Sequence, residues 1–387
     1  MSFRKRGVVL PQSGSTNTSG SSSLPSAAAA KEQAKGTRPS PLTGTPTTST
    51  GTSSLDSLFG GHSGLVLGSS LLIEEQGTTD FGGAVLRYYA AEGVVQGHTV
   101  HVFGVGEAWG RELPGLSEEK PKKEVAKVDG IGREREERMK IAWRYERLGE
   151  FGTSGRGAWK KTTTTSTFCH TFDLSKRLIL PSPSNIHFTP LSTQPDLSFE
   201  PTDPSVSPFT KFLTHLQTQL SSSSPTTIHR IIIPSLLSPA LYPSHASCPE
   251  HILQFLHSLR ALLRAHPTTT SALITFPLSL FPRSTGLTRW IELLSDSVIE
   301  LAPFPSSSLQ VKAVPGQEEP AQGMLNIHCL LGGVGGGDDL SFVLGRRKGL
   351  VVRPYSLPPV DGDQEGQNPG GLEVEGGGKA TKVDIEF

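Results

Sequence analysis

The stretch 65–105 constrains the fold more than any other part of the chain. Residues 65–75 read as a buried strand centred on Leu71-Leu72-Ile73, and a glycine-bearing loop, 77–83, follows. Residues 84–95 then place Leu86, Tyr89 and Ala90 on one side of a helix that Gly97 closes, and 99–105 returns to a strand pattern. Strand, loop, helix and strand within about 40 residues make a βαβ unit, whose two strands are parallel. The fold class is therefore α/β with a mainly parallel sheet.

The same alternation resumes further on. Phe209, Phe212, Leu213, Leu216 and Leu220 recur at helical spacing, and 228–233 is a β-branched strand. The clearest helix is 249–266, with Pro249 in its first turn and a stripe of Ile252, Phe255, Leu256, Leu259, Leu262 and Leu263. A strand at 272–276, a helix at 287–294 bearing Trp290, and strands at 298–301, 324–330 and 340–344 complete the pattern. Only 35% of residues are hydrophobic, with 42 Gly and 30 Pro, so much of the chain lies outside any core. One domain over 51–360 is expected, with insertions at about 117–138 and 182–208 and a flexible tail at 361–387. Residues 1–50, with 10 Ser and 8 Thr, read as disordered, except that 36–41 could dock as an extended arm. Order is expected to begin near Ser53, with one short helical turn at 54–61.

A loop that cradles phosphate in such a unit reads Gly-x-x-x-x-Gly-Lys-Ser/Thr, its amides and lysine meeting the anion and its hydroxyl the magnesium. Here it reads Glu74-Glu75-Gln76-Gly77-Thr78-Thr79-Asp80-Phe81-Gly82-Gly83. The lysine is missing, and Glu74, Glu75 and Asp80 are expected near the place of a triphosphate. Like charges a few ångströms apart repel by about 1 kcal/mol each even at water-like dielectric. Gly77 and Gly82 remain from the loop's shape, and Asp80 is expected to cap the helix. The metal-binding Asp expected after 228–233 is replaced by Pro234-Ser235. Together these disfavour self-contained ATP hydrolysis: no catalytic residue, cofactor or metal is expected.

Formal net charge is zero, so any affinity for nucleic acid must come from local cations. Arg156, Trp159, Lys160 and Lys161 supply cations beside an indole, which can hold phosphate and stack on a base; the alternative is an ordinary solvated loop. Arg346-Arg347-Lys348 could touch RNA, reach a neighbouring subunit's nucleotide, or simply protect a charged sheet edge. His245, Cys248 and His251 resemble a metal triplet, but they sit at a helix start without a fourth ligand. The glycines at 332–337 lie between strands, so they do not form a dinucleotide fingerprint, and no Gly-x-Ser-x-Gly elbow occurs. Cys169, Cys248 and Cys329 are odd in number and far apart, which favours a reducing compartment, cytoplasmic and nuclear. No apolar run approaches the ~18 residues of a membrane span.

Seven blocks stand out: Ser2-Phe3-Arg4-Lys5-Arg6, Gly36-Thr37-Arg38-Pro39-Ser40-Pro41, Ser49-Thr50-Gly51 leading to Leu55-Asp56, Leu71-Leu72-Ile73-Glu74-Glu75, residues 91–98, residues 139–145 and residues 168–175. Together they resemble the Elongator fourth-subunit family, the PAXNEB-like proteins. The resemblance implies a RecA-like fold without a working nucleotide site. It implies assembly with two related RecA-like subunits into a hetero-hexameric ring, alongside a separate catalytic subcomplex, in service of tRNA wobble-uridine modification. In such rings the loop bearing Arg156 to Lys161 would face the pore and tRNA. An independent ATPase and a scaffold that never touches RNA remain the alternatives.

Overall fold

The computed structural model describes residues 34–59, 61–117, 167–191, 205–305, 319–331, 339–347 and 349–355. The strands are β1 (Thr37–Pro39), β2 (Pro46–Thr48), β3 (Leu65–Val66), β4 (Ser70–Glu75), β5 (Thr99–Phe103), β6 (Pro114–Leu116), β7 (Phe172–Arg177), β8 (Ile186–Thr189), β9 (His229–Ile233), β10 (Thr270–Pro277), β11 (Ser297–Pro303), β12 (Gly323–Cys329), β13 (Leu340–Gly345) and β14 (Gly349–Pro354). The helices are α1 (Ser53–Leu58), α2 (Phe81–Gln96), α3 (Glu107–Gly110), α4 (Thr210–Ser222), α5 (Pro249–Ala265) and α6 (Gly286–Leu294).

The main sheet runs β14-β13-β12-β11-β4-β10-β9-β5-β8. From β8 to β11 all neighbours are parallel, and β12, β13 and β14 add an antiparallel edge. Numbered from β4, the parallel strands lie in the order three, two, four, five, one, six, the RecA-like arrangement. Side chains alternate across each strand, so the two faces carry separate cores. Leu71, Ile73, Val100, Val102, Ile232 and Leu273 pack under α2 and α1. Leu72, Phe103, Ile231, Ile233, Ala272 and Ile274 pack with α4, α5 and α6. The α5 stripe behaves as its spacing predicts: Ile252, Phe255, Leu256, Leu259 and Leu263 are all buried.

Several sequence expectations need correction. The extended arm expected at 36–41 is docked, residues 42–50 are ordered rather than part of a disordered tail, and β1, β2 and β3 form a small antiparallel sheet. This arm has little apolar surface, and polar contacts hold it instead. Arg230 of β9 is fully buried. Its guanidinium donates to the Ser49 carbonyl (2.9 Å), the Tyr89 carbonyl (2.9 Å), Thr48 Oγ1 (2.7 Å) and His98 Nδ1 (3.0 Å). It also lies over the Tyr89 ring, 4.5 Å from its centroid. Beside it the Asp56 carboxylate accepts from Ser49 Oγ (2.6 Å), Thr50 N (2.7 Å) and Thr50 Oγ1 (2.7 Å). The block Ser49-Thr50-Gly51 with Asp56 is thus the hinge that docks the arm. Gly93 lets α2 pass directly over the guanidinium, because a Cβ there would come within 2.6 Å of Arg230 Cδ.

The 182–208 insertion is also corrected: β8 lies inside it and forms the far edge of the main sheet, next to β5. Residues 65–75 form two strands, β3 and β4, rather than one. The elements β6, β7, β14 and α3 carried no clear periodicity; they are three to six residues long and partly exposed. The block 168–175 covers α2, where buried Glu92 accepts from His170 N (2.9 Å) and Gln96 Nε2 (2.7 Å). Most of the 117–138 insertion, the 139–145 block, the 332–337 glycines and the 361–387 tail lie outside the described residues. No helix among the described residues is long and apolar enough to cross a membrane.

Candidate functional site

In an open parallel sheet, ligands bind in crevices at the carboxyl ends of the strands. Here the relevant crevice opens where β4 runs through residues 76–80 into α2. Gly77 makes the turn with φ 81°, a conformation that favours glycine.

The end of α2 holds an anion that belongs to the chain itself. Glu75 Oε1 accepts from Phe81 N (2.8 Å) and Thr79 Oγ1 (2.8 Å), and Oε2 accepts from Gly82 N (2.9 Å). These are the amides that a phosphate would use. Burial raises the Glu75 pKa above its ordinary value, while the three hydrogen bonds oppose that rise. Asp80, expected to cap the helix, occupies the cap position without a side-chain cap bond. Its carboxylate turns instead to Arg87, at 2.9 Å, and Arg87 also holds Glu112 at 3.0 Å. The longer Glu75 side chain, anchored on the last residue of a strand, reaches the amides first.

Glu74 is not part of this crevice either. Adjacent strand residues face opposite sides, so Glu74 points away from α2, toward Arg283 of the segment before α6. The expected trio of carboxylates is therefore a pair, Glu75 and Asp80. The cleft they line measures about 60 Å³, and no lysine or arginine is among its lining residues. Sites for cofactor-sized ligands usually run to ~300 Å³ or more. After β9, Pro234-Ser235 brings no carboxylate; Ser235 N donates to Thr275 Oγ1 at 2.7 Å. Among the described residues the arrangement offers a filled anion hole, no cation for phosphate and no magnesium ligand pair.

The family model for PAXNEB protein matches residues 30–387. The chain belongs to the PAXNEB protein family. Its similarity to Elongator complex protein 4 of Schizosaccharomyces pombe is 32% identity over 336 residues, covering 82% of this chain and 86% of the relative. The human Elongator complex protein 4 is 32% identical over 391 residues, covering 92% and 85%. That of Saccharomyces cerevisiae is 31% identical over 308 residues, covering 70% and 62%. Among solved structures, a KaiC-like protein of Pyrococcus horikoshii aligns over 80% of this chain and 99% of its own, at 15% identity and a TM-score of 0.39. That likeness is loose, and the strand order carries the fold assignment.

The other sequence candidates scatter over this PAXNEB family member. Arg346 and Arg347 are exposed in the β13–β14 turn, with Arg347 Nε 3.9 Å from Asp173 Oδ2 and the Arg346 carbonyl accepting from Leu174 N. Lys348, and the group Arg156, Trp159, Lys160 and Lys161, lie outside the described residues. His245 and His251 approach only ring to ring, at 6.1 Å, and with Cys248 they do not converge on a common centre.

Two clusters in the PAXNEB fold, each partly buried, escaped the sequence reading. His101, His187, His215 and His229 gather beneath α4, with His101 Nε2 and His229 Nδ1 3.0 Å apart. Burial lowers the pKa of His229 to about 4 and that of His101 to about 2. The four come from three strands and a helix, so no spacing marks them. Glu74, Glu300 and His328 form the second cluster. Its signal was present but unused: two glutamates closing two apolar strand runs.

Proposed function

We propose that this chain serves as the fourth subunit of an Elongator complex. In this reading it is a non-catalytic, RecA-like component that joins two related subunits in a hetero-hexameric ring. The ring binds tRNA and supports wobble-uridine modification carried out by a separate subcomplex. Membership of the PAXNEB family and the names of its relatives support the complex. The observation that carries the non-catalytic role is the Glu75 carboxylate seated on the Phe81 and Gly82 amides, where a nucleotide's phosphate would have to sit.

The test is reconstitution. The chain is co-expressed with the two related RecA-like subunits, and the mass of the assembly and its affinity for tRNA are measured. A six-membered assembly that binds tRNA is expected. Replacing Arg156, Lys160 and Lys161 together with Ala should leave the assembly intact and weaken tRNA binding. The salt dependence should flatten by about 1 unit of slope for each phosphate that is no longer neutralised. A ring whose tRNA affinity and salt slope are unchanged in the triple variant refutes the loop's role. A chain that stays monomeric beside those subunits refutes the assembly.

A further inference from the structure

The face of the sheet turned away from α2 carries an arrangement that the proposed ring role does not use. Strand pairing sets Glu74 of β4 directly beside Glu300 of β11, and Glu300 beside Asn326 of β12. Two residues further along β12 comes His328, on the same face. Like charges placed opposite each other on adjacent strands are destabilising, so this pairing calls for something between them.

The neighbours satisfy only part of the group. Glu300 accepts from His328 Nε2 (2.7 Å), from Gln76 Nε2 and, at the limit, from Asn326 Nδ2 (3.5 Å). Arg283 is committed to Glu292 of α6 by two bonds, Nε to Oε1 at 2.7 Å and Nη2 to Oε2 at 3.1 Å. Its Nη1 donates to His328 Nδ1 at 3.1 Å, and its Nε comes no nearer to Glu74 than 3.4 Å. Glu74 is fully buried and, among the described residues, no nitrogen or hydroxyl donor bonds its oxygens; its carboxyl meets that of Glu292, a contact that only a shared proton can hold. One guanidinium thus faces three carboxylates. A buried carboxylate in this position needs a proton or a cation to be tolerated.

We propose that Glu74, Glu300 and His328 bind one divalent cation of the zinc class. Two carboxylate oxygens and one imidazole nitrogen form a three-ligand set that zinc accepts, with a fourth position left to water. The ligand atoms lie within 4.8 Å of one another. Small side-chain rotations bring that spread to a common centre about 2.0–2.2 Å from each atom. The ion enters between His328 Nε2 and Glu300 Oε2. Its arrival moves the imidazole proton to Nδ1, so Arg283 gives up its contact with that nitrogen and keeps its pair with Glu292. The His328 side chain is 23% exposed, which provides the way in from solvent.

Calorimetric titration of the chelator-treated full chain with zinc chloride tests the assignment. One zinc per chain is expected. Affinity should fall by roughly tenfold or more in Glu74→Gln and in His328→Ala. His245→Ala controls for stray binding by other histidines and should titrate like the parent chain. Glu74→Gln removes a buried charge and should fold; if it does not, His328→Ala at the partly exposed end of the group decides. Cobalt(II) gives a second readout through its visible absorption, which should vanish in the same two variants. No zinc bound by the parent chain, or unchanged titrations in Glu74→Gln and His328→Ala, overturns the proposal.

Discussion

Replacing Arg230 with Met should release the N-terminal arm from the sheet. The side chain is buried completely and donates four hydrogen bonds of 2.7–3.0 Å. Met fills a similar volume but leaves the Ser49 and Tyr89 carbonyls, Thr48 Oγ1 and His98 Nδ1 without a donor. It also removes the positive charge beside buried Asp56. Removing one member of a buried charged network costs about 3–5 kcal/mol. For a domain of this size each kcal/mol lowers Tm by about 2–4 °C, so a fall of about 6–20 °C is expected. The assay is a thermal melt combined with limited trypsin digestion. Lys35 and Arg38 are held by the arm's docking: the Lys35 carbonyl faces His98 Nε2 at 2.8 Å, and Arg38 lies 3.6 Å from the centre of the Phe168 ring. In Arg230→Met the peptide bond after Lys35 should be cut before the core; Pro39 keeps the bond after Arg38 closed to trypsin. A melt within about 2 °C of the parent, with the arm still protected, would refute the idea that polar contacts rather than apolar burial dock this segment.

Leu256→Asp should prevent cooperative folding, because Leu256 is only 3% exposed in the α5 stripe and an unpaired buried carboxylate costs several kcal/mol; soluble protein with a sharp melt would count against the packing. The part of the stability that rests on His98 and His229 should decline on acidification from pH 7 to pH 5. Burial depresses His98 to about 3 and His229 to about 4, so their contribution is complete above the unfolded value near 6.5 and is lost as pH falls toward the folded values; a His229→Gln variant whose melting temperature falls as much as the parent's over that window would contradict it. Glu75→Ala should destabilise α2 by about 1 kcal/mol through loss of its cap, and calorimetry with Mg-ATP should remain flat for both the parent and the variant; micromolar binding by the isolated parent chain would show that the carboxylate does not block the amides.

Much of the fold was legible because it rests on apolar periodicity. The βαβ unit, the α5 stripe and the strands on both sides of it announce themselves by spacing alone. Of the arm only the extended piece at 36–41 was legible; what docks it was not, because the contacts around Ser49 converge on a single arginine some 180 residues away in sequence, and composition cannot show such a partner. β8 was lost for a related reason: an edge strand of four residues buries only Ile186 fully. At the crevice the sequence revealed the missing lysine and the surplus of carboxylates. It could not reveal which carboxylate takes the helix end. That choice depends on reach: Glu75 starts from a fixed strand end, whereas Asp80 is short and drawn off by Arg87. Nor could it show that Glu74 and Glu75, neighbours in sequence, serve opposite faces of the sheet.

The seat of Glu75 has a consequence for regulation. Because the carboxylate is covalently tethered within reach of the α2 amides, its effective concentration there is on the order of millimolar or higher. A free phosphate must displace a resident competitor that never diffuses away, and must do so beside Asp80 with no lysine to favour it. Helix α2 is therefore locked in its docked position by the chain's own covalent geometry rather than by the cell's supply of nucleotide. In the assembly proposed above, a subunit built this way is expected to respond to nucleotide through its neighbours, its own shape being the constant against which moving partners can be measured.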